Sequence, residues 1–119
     1  MRTVLSVLLV AGSLAIASAA MGSSSMGTVT LKGTVGPGFT ITLTKSGAKV
    51  TSLKAGKYAF KITDKSNIHD FSLKGPINKH LTGVSFVGTK TVTLTLKKGK
   101  YTYYCSTHPT LMKGSFTVK

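Results

Sequence analysis

Apolar and polar residues alternate with a period of two through Tyr58-Ala59-Phe60-Lys61-Ile62-Thr63 and again through Thr91-Val92-Thr93-Leu94-Thr95-Leu96. Valine, leucine, tyrosine, phenylalanine and isoleucine fall on one side, and threonine or lysine on the other, which is the pattern of a half-buried β-strand. Shorter stretches of the same kind predict strands over 28–35, 39–44, 48–52, 68–73, 100–105 and 115–119. Turn signals separate them at Gly36-Pro37-Gly38, Ser46-Gly47, Ala55-Gly56, Lys65-Ser66-Asn67, Gly75-Pro76 and Lys98-Gly99. No stretch after residue 27 carries a helical period of useful length, and no internal repeat is present. Seven or eight short strands in about a hundred residues predict an all-β fold, an antiparallel Greek-key β-sandwich.

The first twenty residues follow a different rule. Met1-Arg2-Thr3 gives a short positive start, an apolar stretch runs from Val4 to Ile16, and Ala17-Ser18-Ala19-Ala20 offers small residues for cleavage after Ala19 or Ala20. Residues 1–20 are therefore expected to be a secretory signal peptide, residues 21–27 a flexible lead-in, and residues 28–119 the folded domain. An uncleaved anchor is the alternative, but the stretch is at the lower limit for a membrane span and rich in Ala, Gly and Ser. The expected location is periplasmic or secreted, with no transmembrane segment left after cleavage. The remaining chain is long enough for one domain with one core.

Charge narrows the function. Sixteen basic residues face only two acidic ones, Asp64 and Asp70, and Arg2 is the sole arginine, so the processed chain carries lysines alone and a net charge near +13. Acid–base catalysis usually needs paired carboxylates with separated pKa values, and an inventory of two aspartates argues against an enzyme. Specific nucleic-acid recognition favours the planar fork of arginine, so none is expected. A lysine surface keeps an exported protein soluble and steers it towards acidic partners. The glycine-rich Gly33-Thr34-Val35-Gly36-Pro37-Gly38 lacks the Lys-Ser/Thr ending of a phosphate loop and precedes no helix, so it reads as a turn.

The candidate chemistry lies in one short segment. Cys105, His108 and Met112 fall within eight residues. Cysteines of exported proteins normally pair, and a single one cannot pair within its chain, leaving an intermolecular bridge, a buried inert thiol or a thiol committed to a metal. A thiolate and a thioether are soft donors suited to copper, and imidazole binds either copper oxidation state. Alternation places Tyr101, Tyr103 and Cys105 on one face, so the sulfur is expected to point inwards where the strand ends. Cu(II) wants a second nitrogen. Of the two further histidines, His69 shares an apolar face with Phe71 and Leu73 and is chosen, whereas His80, in the polar run Pro76-Ile77-Asn78-Lys79-His80, reads as a surface residue without ordered neighbours.

At these residues the chain resembles the cupredoxins, the small blue-copper proteins such as plastocyanin, amicyanin, pseudoazurin and azurin. The resemblance spans essentially the whole processed chain in strand layout. It rests most specifically on Asn67-Ile68-His69-Asp70-Phe71 and on Cys105-x-x-His108-x-x-x-Met112-Lys113-Gly114 before a last strand. It implies one copper ion per chain, cycling between Cu(I) and Cu(II), with His69, Cys105 and His108 as a trigonal ligand set and Met112 as the weak axial ligand. It also implies a strut between the two ligand loops. Many cupredoxins place asparagine after the upstream histidine; here Asp70 stands in that position, with Ser106 or Thr107 as the expected donors to it.

A fixed ligand plane that suits neither oxidation state strongly allows fast electron exchange. The implied function is an exported type 1 copper protein that shuttles single electrons as a monomer. Its acidic redox partner is expected to dock near His108, inside an apolar ring that Pro109 and Leu111 begin and that Gly36-Pro37-Gly38 and Gly75-Pro76-Ile77 complete. Copper carriage or storage with incidental redox activity would use the same four residues, and a metal-free adhesion or polyanion-binding sandwich would leave Cys105 merely buried.

Overall fold

The structure, a computed structural model, describes residues 27–119, so the expected signal peptide (1–20) and all but the last residue of the lead-in (21–27) lie outside the described residues. Ten strands form two five-stranded sheets: β1 (Val29–Val35), β2 (Ile41–Lys45), β3 (Ala48–Lys49), β4 (Ser52–Leu53), β5 (Gly56–Asp64), β6 (Ser72–Lys74), β7 (Lys79–His80), β8 (Gly88–Leu96), β9 (Gly99–Tyr104) and β10 (Lys113–Val118). The first sheet has the order β3-β2-β1-β5-β8, the second β4-β10-β9-β6-β7. Among the described residues there is no helix. The all-β sandwich expected from the alternation is what forms.

Two details differ from the expectation. Three of the ten strands, β3, β4 and β7, are two-residue pieces, which raises the count above seven or eight. The segment expected as one strand over 48–52 is divided because the chain changes sheets there: β3 closes the edge of the first sheet against β2, and β4 joins β10 in the second. The sheets are also mixed rather than purely antiparallel, since β1 runs parallel to β5 from Val29 beside Tyr58 to Val35 beside Asp64, and β4 runs parallel to β10. Alternation specifies which face of a strand is buried; it carries no information about the partner or its direction.

Alternation does fix the core. Leu31, Val35, Leu43, Phe60, Ile62, Leu96, Tyr101, Tyr103, Phe116 and Val118 project between the sheets and are buried. Full burial of each large apolar side chain contributes about 1.5–3 kcal/mol. Phe71 stacks on Tyr103 at 5.7 Å and Tyr101 on Phe116 at 5.3 Å, which ties the second sheet together from inside. The phenol of Tyr101 donates to the carbonyl of Lys97 at 2.8 Å and accepts the Lys97 N–H at 2.9 Å, so its polar end is satisfied despite burial.

Candidate metal centre

Cys105 follows β9 directly. Tyr101, Tyr103 and Cys105 are 0%, 2% and 0% exposed, so the inward face of the strand continues into the thiol. The next seven residues form a tight loop. The Met112 N–H donates to the His108 carbonyl at 2.9 Å, a single helical-type turn, and the Cys105 N–H donates to the Met112 carbonyl at 3.0 Å. The three residues between His108 and Met112 are the number such a turn encloses. It brings the Met112 backbone back beside Cys105 at the start of β10, with the Met112 side chain fully buried.

His69 arrives from the other direction, in the irregular segment between β5 and β6. The strand expected over 68–73 begins only at Ser72 because the Phe71 N–H donates to the Thr82 hydroxyl (2.9 Å) instead of to a neighbouring strand. Thr82 in turn donates to Asp64 Oδ2 at 3.0 Å, while Asp64 Oδ1 accepts the Ser66 N–H at 3.1 Å. These bonds hold the segment on both sides of His69. Burial of Asp64 raises its carboxyl pKa above the usual value, an effect that the Ser66 and Thr82 donors oppose without cancelling. The Tyr103 phenol is likewise pushed up by burial.

The three donors converge. His69 Nδ1 lies 3.1 Å from His108 Nδ1, and Cys105 Sγ lies 3.7 Å from the first and 3.8 Å from the second. A circle through three points with those separations has a radius of about 2.1 Å, within the span of metal–nitrogen and metal–thiolate bonds to a first-row divalent ion. The donor set and its spacing therefore fit copper. Both Nδ1 lone pairs can face a shared point only when both rings carry their proton on Nε2. Cys105 and His69 are buried and His108 is half-buried, so one imidazole reaches towards solvent.

The expected strut is present and double. Asp70, 2% exposed, accepts the Ser106 N–H on Oδ1 at 2.6 Å and the Ser106 hydroxyl on Oδ2 at 2.7 Å. Thr107 makes a second tie between the loops, donating its hydroxyl to the Ile68 carbonyl at 3.1 Å, with the same oxygen 3.1 Å from Cys105 Sγ and 3.0 Å from His108 Nδ1.

Three features depart from the sequence reading. His80 is not isolated: it ends β7 opposite Ser72, with Nδ1 at 2.6 Å from the Ser72 hydroxyl and 3.6 Å from Asp70 Oδ2. The Gly75-Pro76 turn signal between two short strands could have paired them. Gly75 and Pro76 do not ring His108 but pack against Lys100, Tyr101 and Gly99, at the end of β9 remote from Cys105. Phe39 also belongs to the site, and no sequence signal marks it. Positive φ at Gly36 (70°) and Gly38 (73°) shapes the turn before it, and its ring packs on both imidazoles, 5.4 Å from His69 and 4.9 Å from His108. With Ile68 and Leu111, also exposed, it places apolar surface around the loops of the centre.

A β-sandwich that gathers one thiol and two imidazoles at the end of one sheet defines a class, the small sandwich proteins with a single soft-metal site. The sequence gives the membership: the model of the copper binding proteins of the plastocyanin/azurin family matches residues 16–119, and the chain belongs to that family. These are the cupredoxins, blue copper proteins that are generally electron carriers. Among solved structures, rusticyanin from Thiobacillus ferrooxidans is 25% identical with a TM-score of 0.53, covering 77% of this chain and 77% of that one. Reduced rusticyanin at 1.9 Å is 28% identical, TM-score 0.53, covering 77% and 79%. Auracyanin A, a "blue" copper protein from Chloroflexus aurantiacus, shares the fold at 17% identity, TM-score 0.53, covering 78% and 100%. No curated protein sequence matches the chain.

Proposed function

We propose that this protein is an exported type 1 copper protein that carries single electrons between redox partners, with residues 1–20 removed as a signal peptide and residues 28–119 forming the copper domain. His69, Cys105 and His108 would hold the ion, and Met112 would be its weaker fourth donor. The observation that carries the reading is the triangle of Nδ1, Nδ1 and Sγ atoms with sides of 3.1, 3.7 and 3.8 Å, anchored in two loops tied together by Asp70. Copper bound there supplies a one-electron couple whose potential the ligand plane and its surroundings tune.

The chain's own residues provide the rest. The strut and the turn at His108 fix the donors before a metal arrives, so little rearrangement accompanies a change of charge at the centre. His108 is the half-buried ligand, and the apolar surface of Phe39, Ile68 and Leu111 beside it suits brief docking by a partner. All fifteen lysines are exposed, whereas Asp64 and Asp70 are buried, so the described surface offers no side-chain carboxylate to weaken attraction to an acidic partner. The protein acts as a monomer, in the periplasm or outside the cell, and catalyses no bond-making step of its own.

The test is a competition. Reduced, copper-loaded protein is mixed with a one-electron acceptor and with a Cu(I) chelator. Electron delivery much faster than copper loss is expected. Copper loss that outruns electron delivery would favour carriage or storage of the metal through the same residues.

A further inference from the structure

His80 is joined to the metal centre through a short polar chain that the copper site itself does not require. Its side chain is 69% exposed, whereas that of Asp70 is 3% exposed. Between them stands the Ser72 hydroxyl, 2.6 Å from His80 Nδ1 and 3.2 Å from Asp70 Oδ2. Beyond Asp70 come the N–H and hydroxyl of Ser106, the residue after Cys105.

Ser72 has one hydroxyl proton and therefore two arrangements. When the His80 imidazole is neutral with its proton on Nε2, Nδ1 accepts from Ser72, and Asp70 keeps only the two Ser106 donors. When the imidazole is cationic, Nδ1 is a donor, so the Ser72 proton turns to Asp70 Oδ2. The carboxylate then gains a third donor and a cation 3.6 Å away. Because Asp70 is buried, both changes act through little water and are weakly screened.

We propose that neutral His80 carries its proton on Nε2 and that His80 is thereby a positioning residue of the metal centre: a proton bound from solvent at His80 Nδ1 turns the Ser72 hydroxyl and so changes the hydrogen bonding of Asp70 and its grip on the loop that carries Cys105. The redox consequence, and only that, rests on the copper reading. An electron from an external one-electron donor reduces Cu(II) to Cu(I) and removes one positive charge at the centre. A proton from solvent on His80 Nδ1 restores one positive charge nearby. Reduction thus favours proton uptake at His80, and by linkage the potential is higher on the acid side. β7 is an edge strand packed on β6. The charged and titratable groups around His80 are Lys79 on β7, Lys74 on β6, Tyr104 opposite Ser72 on β9, and Asp70, the one carboxylate among them.

Two measurements test this. In the metal-free protein, the Ser106 amide resonance is followed by NMR between about pH 5 and 8, where imidazoles titrate. It should shift with the same midpoint as the His80 ring protons, lose that shift in His80→Gln, and shift less in Ser72→Ala although His80 still titrates. In the copper-loaded protein, the reduction potential should fall with rising pH through that midpoint, and fall less in His80→Gln. His108 is common to both proteins, so the difference between them isolates His80. A Ser106 amide that does not respond in the wild type, or responds equally in His80→Gln, overturns the proposal, and it does so whether or not copper binds.

Discussion

Truncating Ser106 to alanine removes one of the donors that hold the buried carboxylate of Asp70, and the structure sets the size of the effect. The carboxylate has two constant donors, the Ser106 N–H at 2.6 Å and the Ser106 hydroxyl at 2.7 Å, and a third, the Ser72 hydroxyl at 3.2 Å, whenever that proton is turned towards it. Ser106→Ala leaves the first and third in place. A hydrogen bond to a charged group contributes about 1.5–3 kcal/mol, and because Ser106 itself is exposed, water can partly replace its hydroxyl. The expected loss is therefore at the low end, about 1.5 kcal/mol, or roughly 6–12 °C in Tm for a domain of this size. Urea unfolding of the metal-free protein followed by circular dichroism reads it directly, with an unchanged m-value as the sign that the folded state keeps its extent. The same substitution in an Asp70→Asn background should lose much less, because the pair is coupled. A loss below about 0.5 kcal/mol in the wild-type background, or an equal loss in both backgrounds, would refute the claim that the two ligand loops are braced through this contact.

Other expectations follow from the same structure. Asp70→Asn should raise the reduction potential of the copper-loaded protein by on the order of 100 mV, the scale of one unit charge several ångströms away at an effective dielectric of ~20; redox titration of the two proteins showing an equal or lower potential in the variant contradicts this. Asp64 has a raised carboxyl pKa in the folded state, so its contribution to stability is full below the unfolded value and is lost as pH rises through the folded one. Tm should accordingly carry a component that declines from the ordinary carboxylate range upwards, and in Asp64→Asn that component should vanish. Gly33→Ala, normally favourable in a strand, should destabilise by about 1–3 kcal/mol, because the added carbon would meet Ile62 Cδ1 at 2.5 Å and Phe71 Cε2 at 2.9 Å in a filled core; unfolding as stable as wild type would show that the core yields there.

The parts of the molecule legible in the sequence are those governed by local period and by residue chemistry. Tyr58 to Thr63 and Thr91 to Leu96 pair with each other across β5 and β8; the first buries the face that alternation assigns to it, and the second turns the assigned face to the core with Leu96 buried and Val92 and Leu94 half-buried. Tyr101 and Tyr103 pointed Cys105 inwards because a strand permits no other phase. Strand direction was not legible, since the parallel pairing of β1 with β5 depends on where the chain crosses between sheets. The segment 68–71 looked like a strand because its residues are apolar. It is irregular because Thr82, far along the chain, captures the Phe71 N–H. His80 and Phe39 are the clearest losses. The first is joined to Asp70 by a hairpin register and the second to both imidazoles by loop packing, and neither relation has a local signature.

The central claim is that His69, Cys105 and His108 hold one copper ion with a thiolate bond. The most direct measurement is the visible and EPR spectrum of the purified protein after addition of one equivalent of Cu(II), beside a Cys105→Ser variant treated in the same way. An intense thiolate-to-copper band with a type 1 EPR signal in the wild type, and neither in the variant, is the predicted result. A wild-type spectrum without that band, or one unchanged by the loss of the Cys105 sulfur, would contradict the account.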